Sequence, residues 1–170
     1  MAIYWITGSG PLHLAIMPRP EGGSEMREDI RALQAESVDI LVSLLTAEEV
    51  ETFDLAEEPQ VCAAHGIDYR SFPIEDHSVP TSYNAVLDFA TRLEQEFKAG
   101  KAIAIHCYAG IGRSSLMAAC VLVIHGKSAL EAFNQIREAR GCHVPDMGIQ
   151  FDWVESFARR LADDRLNSAI

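Results

Sequence analysis

The sequence predicts a single α/β domain, with a mixed, mainly parallel central sheet of roughly four to five strands flanked by helices on both faces. Three observations carry that reading. Short apolar runs rich in β-branched residues, Asp39 to Leu45, Ile67 to Pro73 and Lys101 to Ile105, alternate with stretches whose apolar residues recur at helical spacing. Two more short runs, Ile3 to Thr7 and Leu12 to Met17, flank the turn cluster Gly8 to Pro11 and predict an initial hairpin. Finally, the ten residues His106 to Ser115 join a buried strand to the almost wholly apolar helix Leu116 to Ile124, making a strand-to-helix turn.

Composition narrows the class. The chain has 170 residues, 48% of them hydrophobic, and seven scattered prolines, which suits one domain over residues 1–170 with a substantial core. A net charge of −11 lacks the basic footprint that nucleic acid requires, and it opposes adsorption to anionic lipid. The four cysteines, Cys62, Cys107, Cys120 and Cys142, show neither C-x-x-C spacing nor the density of a disulfide framework, so a reducing cytoplasm is expected and no structural metal. The N-terminus carries no basic region followed by a long apolar core, and no run reaches transmembrane length. A cytoplasmic monomer without membrane or nucleic-acid partners is expected.

Each element has its own local reason. After the hairpin and a Pro18 to Gly23 loop, Ser24 is placed to cap a helix with Met26, Ile30 and Leu33 on one face, ending near Glu36. His13 reads as a sheet-face residue. Beyond the Asp39 to Leu45 strand, Thr46 and Glu49 form a capping box, so a short helix through Val50 and Phe53 is expected. The acids Glu48, Glu49, Glu51, Glu57 and Glu58 read as a solvated face without chemistry. Pro59 to His65 suits another short helix, closed by Gly66. Thr81 or Ser82 caps a long helix striped by Tyr83, Val86, Leu87, Ala90, Leu93 and Phe97, which Gly100 stops. Cys120 reads as inert filling of the apolar helix, and His125 as a complement to that helix's C-terminus. Ser128 with Glu131 caps a helix striped by Leu130, Phe133 and Ile136, and Arg137 and Arg140 suit its C-terminal end. Gly141 to Pro145 is a turn, in which the adjacent Cys142 and His143 do not make a metal site. The last helix turns Trp153, Val154, Phe157 and Leu161 inward, and the polar tail from Arg159 to Ile170 is expected to fray.

The chemistry gathers at His106 to Ser115. If Gly110 and Gly112 let the backbone curl, the N–H groups of residues 108–113 face one concavity at the positive end of a helix, which is an anion site. Cys107 opens this loop and Arg113 closes it, so a sulfur and a guanidinium fall on opposite sides of one bound oxyanion. Arginine's planar fork matches two phosphate oxygens, and inward N–H groups favour a thiolate. The expected result is a nucleophile beside a phosphate cradle. A dinucleotide fingerprint would lack its third glycine at Ser115, and a nucleotide P-loop would need lysine where Arg113 stands. The plain alternative is a cysteine that merely fills the end of a strand.

His106, Cys107, five intervening residues, Arg113 and Ser114 resemble the signature loop of the cysteine-dependent protein tyrosine phosphatases, including the dual-specificity branch. The resemblance implies a dual-specificity phosphatase-like fold and phosphate monoester hydrolysis through a phosphocysteine, with no cofactor. It implies phosphate binding by Tyr108, Ala109, Gly110, Ile111, Gly112 and Arg113, thiolate release aided by Ser114, and loop orientation by His106 through hydrogen bonds. Asp76, in the Ile74 to Pro80 loop that follows the Ile67 to Pro73 strand, resembles the family's general acid, a few residues before a proline, although the Trp-Pro-Asp of the receptor-type enzymes is absent. On residue chemistry alone, Glu75 and His77 compete with it. Val144 to Gln150 is similar to the family segment whose glutamine positions the attacking water, and the other reading of Gln150 is an amide satisfying nearby backbone.

Tyr108, Ala109 and Ile111 stand where phosphoinositide phosphatases resembling this family often carry lysines, which favours a phosphorylated protein or a small aryl phosphate as substrate. Alternatives are a phosphoinositide or other non-protein phosphate monoester, a rhodanese-type sulfurtransferase, and a phospho-binding pseudoenzyme. Cys62 and Cys142 are both candidates for a reversible disulfide with Cys107 under oxidation.

Overall fold

The computed structural model describes residues 2–6 and 13–168. The expected Gly8 to Pro11 turn, with Thr7 and Leu12 beside it, lies outside the described residues. Five strands, β1 (Tyr4–Ile6), β2 (Leu14–Pro18), β3 (Ile40–Ser43), β4 (Asp68–Ser71) and β5 (Ile103–Cys107), form one sheet in the order β1-β2-β5-β3-β4. The β1 and β2 pair is antiparallel and every other pairing is parallel, which is the mixed, mainly parallel sheet expected.

Side-chain alternation along the strands divides the core. Ile103, Ile105 and Cys107 face one side, with Ile16, Ile40 and Val42, against α4 (Tyr83–Lys98), α5 (Arg113–Ile124), α6 (Ala129–Arg140) and α7 (Gly148–Ser168). Ala104, Met17 and Leu41 face the other, against α1 (Met26–Ala35), α2 (Ala47–Thr52) and α3 (Glu58–Ala64). Helix α5 is buried all round from Arg113 to Val123 because α4, α6, α7 and the sheet enclose it, so its near-continuous apolar sequence has no wet face to supply.

Several boundaries moved. The last parallel strand runs on to Cys107, because Met17 to Pro18 of β2 continue the ladder opposite His106 and Cys107. Helix α5 begins at Arg113, so the expected ten-residue turn contracts to residues 108–112. Ser24 does not cap α1: it lies within a 3-10 turn, Gly23–Glu25, and its hydroxyl reaches the Glu25 carboxylate. Leu130 is 58% exposed, since the stripe of α6 that packs is Ala129, Ala132, Phe133 and Ile136. The tail does not fray from Arg159, because α7 continues to Ser168. Leu161 docks in the core, Tyr83 Oη donates to Asp164 at 3.0 Å, and Arg165 Nη2 donates to the Ile124 carbonyl at 2.9 Å. That last bond serves the C-terminus of α5, while His125 Nδ1 turns instead to Glu94 Oε1 at 2.9 Å.

Both capping boxes formed as read, at Thr46 with Glu49 and at Ser128 with Glu131. The first has consequences beyond its helix.

Candidate active site

Cys107 ends β5 and Arg113 begins α5, so the residues between them must reverse the chain within a single turn. Gly110 makes this possible. It takes φ +66°, and a Cβ there would lie 2.4 Å from the Met17 carbonyl carbon and 2.5 Å from Pro18 N, so both the left-handed backbone and the close approach to β2 exclude a side chain. The need at Gly112 is space alone: a Cβ would meet Asp146 Oδ1 at 2.2 Å and Gln150 Oε1 at 2.9 Å. Arg140 braces the loop from outside, donating from Nε to the Gly110 carbonyl at 3.0 Å and from Nη2 to the Ala109 carbonyl at 3.4 Å, with its guanidinium over the Tyr4 ring. The macrodipole reading of Arg140 therefore gives way to a grip on the loop's carbonyls. No side-chain cap closes the N-terminus of α5 among the described residues, which leaves its first N–H groups free to receive an anion.

A cavity of about 260 Å³ opens here, with Cys107, Arg113, Asp76, Tyr108, Asp146 and Gln150 in its lining. Cys107 is 3% exposed and forms part of that lining. The Ser114 hydroxyl lies 3.5 Å from Cys107 Sγ. Arg113, 1% exposed, is held along its outer edge: Nη1 and Nη2 donate to the two carboxylate oxygens of Glu49 at 2.7 and 2.8 Å, and Nη1 also to the Ile74 carbonyl at 2.9 Å. Its Nε is buried and has no partner among the described residues. Asp76 Oδ1 sits 3.0 Å from Nη2, so the loop after β4 reaches Arg113. Burial alone would lower the affinity of Arg113 for its proton, but Glu49, then Cys107 and Asp76, outweigh it and hold the guanidinium above its ordinary value. Burial likewise pushes the Glu49 carboxyl up, yet hydrogen bonds from Arg113 and Thr46 prevail and keep it below the usual carboxylate range.

Glu49 thus corrects the reading of a solvated acidic face. The capping box that starts α2 fixes its carboxylate, which accepts from Thr46 N at 2.9 Å and from Arg113 at once. Glu58 corrects it further, being fully buried with its Oε1 3.0 Å from His106 Nε2. Among the described residues His106 Nδ1 has no hydrogen-bond partner, and Nε2 approaches Glu58 Oε1 without making a hydrogen bond.

The remaining candidates fall as follows. Gln150 is fully buried, its Nε2 donates to the Ser78 carbonyl at 3.1 Å, and its Oε1 is without a partner among the described residues. Glu75 and His77 are exposed, and His77, at φ 52°, lies 3.2 Å from Asp76 Oδ2 through Nδ1. Tyr108 is half exposed, its ring 5.2 Å from that of Phe53. Ala109 is exposed, while Ile111 is partly buried against the core. Asp146 at the cavity wall was given no role, although it lies in the Val144 to Gln150 segment that pointed to Gln150. Cys62 packs in the core on the opposite face of the sheet from Cys107, which removes it as a disulfide partner. Among the described residues no group of three or more His, Cys, Asp and Glu is placed to hold a metal ion.

Residues 15–127 match the family model described as a polymorphic toxin system DSP-PTPase phosphatase. The chain is 34% identical over 105 residues to protein tyrosine phosphatase PRL-1 of Leishmania major, a match covering 57% of this chain and 59% of that protein. In three dimensions it superposes on kinase-associated phosphatase, solved with its catalytic-site cysteine replaced by serine, with a TM-score of 0.85 at 22% identity over 95% of this chain and 96% of that one. It also superposes on PTPMT1, with a TM-score of 0.73 at 18% identity over 98% and 99% of the two chains. At these identities the two superpositions establish the shared fold.

Proposed function

Because the chain belongs to the DSP-PTPase phosphatase family, we propose that it hydrolyses phosphate monoesters on proteins, phosphotyrosine foremost and phosphoserine or phosphothreonine with it, through a phosphocysteine intermediate. The observation that carries the proposal is the state of Arg113. Its outer edge is occupied by Glu49, its Nε is buried without a partner among the described residues, and Arg113 and Cys107 both line the cavity. A guanidinium so anchored has one remaining edge, Nε with Nη2, to offer two phosphate oxygens.

In the first step Cys107 Sγ attacks phosphorus in line, forming the S–P bond as the ester P–O bond breaks. Asp76 gives its proton to the departing oxygen. It must leave Arg113 Nη2 for the phosphate to take that donor, and its half-exposed position permits this. In the second step Asp76 accepts a proton from water, whose oxygen displaces sulfur from phosphorus. Gln150 Oε1 accepts the water's other hydrogen, and the Ser114 hydroxyl donates to the departing thiolate. Main-chain N–H groups of residues 108–113 hold the equatorial oxygens throughout.

Charge at the mouth supports a protein substrate. Asp76 and Asp146 line the cavity, and Arg113 is the one arginine or lysine among its lining residues. A headgroup with several phosphates would face carboxylates there without a second fixed cation. The four free cysteines suit a reducing compartment such as the cytoplasm, and among the described residues no helix is long and apolar enough to cross a membrane.

The test is hydrolysis of p-nitrophenyl phosphate by wild type, Cys107→Ser and Asp76→Asn, followed by phosphotyrosine peptides, phosphothreonine peptides and phosphoinositide vesicles. The expected result is vanadate-sensitive turnover that Cys107→Ser abolishes, with phosphotyrosine peptides preferred. Turnover that survives Cys107→Ser would overturn the mechanism, and preference for the vesicles would overturn the substrate. Transfer of sulfur from thiosulfate without phosphatase activity would revive the sulfurtransferase reading, against which the family match already weighs.

A further inference from the structure

A second cavity of about 260 Å³ lies beside the first, lined by Pro18, Arg19, Glu21, Asp29 and Tyr108. Tyr108 belongs to both linings, so its half-exposed ring is a wall that the two cavities share. That wall is held in place. Arg19 N donates to the Tyr108 carbonyl at 3.2 Å, which ties the chain after β2 to the loop, and the Tyr108 ring rests 5.2 Å from that of Phe53. The Arg19 guanidinium lies over Phe53, 4.5 Å from the ring centroid, and 5.7 Å from the centroid of Tyr108. A polypeptide bound with its phosphorylated residue at Cys107 has this second cavity on the other side of Tyr108.

Size and charge define the occupant. The cavity falls below the roughly 300 Å³ at which sites for small molecules begin, and it suits a single side chain. Its lining holds two carboxylates and one guanidinium. The guanidinium is already engaged: Nη1 donates to the Pro20 carbonyl at 2.8 Å and lies 3.6 Å from Glu21 Oε2, the Phe53 ring covers its carbon, and Nε is buried. The Glu21 side chain, by contrast, is 71% exposed, and Glu21 N donates to Asp29 Oδ2 at 2.8 Å, which brings the two acids to one rim. A lysine or arginine entering here sets its aliphatic stem against Pro18 and the Tyr108 ring and its charge toward the carboxylates, whereas a glutamate meets like charge. The net charge of −11 draws the same kind of segment toward the protein. We propose that this cavity is a substrate subsite for a basic side chain flanking the phosphorylated residue, with Tyr108 and Glu21 determining the preference. The inference rests on the reading of the Cys107 cavity as a phosphoprotein site and adds a sequence preference to it.

The test measures the binding of phosphotyrosine peptides to Cys107→Ser, which requires no turnover, and kcat/KM for the same peptides with wild type. Each peptide carries lysine, leucine or glutamate at one of the residues flanking the phosphotyrosine. At one flanking position lysine is expected to bind roughly tenfold more tightly than glutamate, with leucine between them, and the advantage is expected to shrink as salt rises. Introduced into either protein, Glu21→Lys is expected to reverse that order and Glu21→Gln to weaken it. Equal binding of the three at every flanking position overturns the proposal, as does a lysine preference that Glu21→Lys leaves intact. Preference for glutamate also overturns it and passes the cavity to Arg19. Wild type that hydrolyses the peptides without regard to these residues removes the subsite and leaves the proposed function standing. Lysine preference in Cys107→Ser, beside a wild type inactive on every phosphate monoester, refutes the proposed function and keeps the subsite.

Discussion

Two loops leave the same edge of the sheet, and they are held in opposite ways. The loop after β5 is fixed from all sides: Gly110 presses on β2, Arg140 grips its outer carbonyls, and Arg113 is locked by Glu49. The loop after β4 is exposed at Glu75, Asp76 and His77, and Asp76 meets the cradle through one ion pair with Arg113. The difference matches the role proposed for each. A site that binds charge gains from donors that need not reorganise, whereas an acid that gives up and recovers a proton must move relative to the group it serves. In the proposed mechanism phosphate takes Arg113 Nη2 from Asp76 and so frees that carboxyl toward the leaving oxygen.

The contrast breaks most severely at Gly110. Gly110→Ala is expected to cost about 3 kcal/mol or more, seen as a fall in Tm of roughly 10 °C, because neither β2 nor the left-handed backbone can accommodate a Cβ. Next comes Arg113→Lys, expected to lower kcat/KM about a thousandfold, since an ammonium cannot hold Glu49 with two donors and still present an edge to phosphate. Retention of activity within tenfold would show that the anchoring is unimportant. Asp76→Asn should reduce kcat about a hundredfold on phenyl phosphate and much less on p-nitrophenyl phosphate, whose leaving group needs no proton. Equal losses on the two substrates would argue that Asp76 only places Arg113.

Smaller effects sharpen the comparison. Glu49 sits below its ordinary value when folded, so its stabilising contribution is complete above the usual carboxylate range and is lost as pH falls through the folded value. Thermal melts from pH 6 down to about pH 3 should therefore show a shallower decline for Glu49→Gln than for wild type. Arg140→Met keeps an apolar side chain at this position and removes both the guanidinium over Tyr4 and the two bonds to the loop. Roughly a tenfold loss in kcat/KM is expected, measured on the same aryl phosphate, with Tm nearly unchanged. A loss as large as that of Arg113→Lys would mean that the outer brace matters as much as the inner anchor.

The parallel sheet, the capping boxes at Thr46 and Ser128, and the Cys107 to Ser114 loop could be read from the chain because each is a local pattern: a periodicity, a three-residue spacing, a pair of glycines between a strand and a helix. Asp76 could be placed because parallel strands bring their C-terminal ends to one edge. The acids that hold the site were not legible. Glu49 and Glu58 stand in the same acidic stretch as the exposed Glu48, Glu51 and Glu57, and nothing in their neighbours separates them. Glu49 had one usable signal, since a capping-box carboxylate is fixed in direction, but its target lies 64 positions away. The sequence by itself determined which elements form and where the proposed nucleophile sits, because hydrophobic period and turn chemistry act over a few residues. Only the tertiary structure decided which carboxylates meet Arg113 and His106, because partners for buried charge are chosen where helices from one half of the chain pack against a strand end from the other.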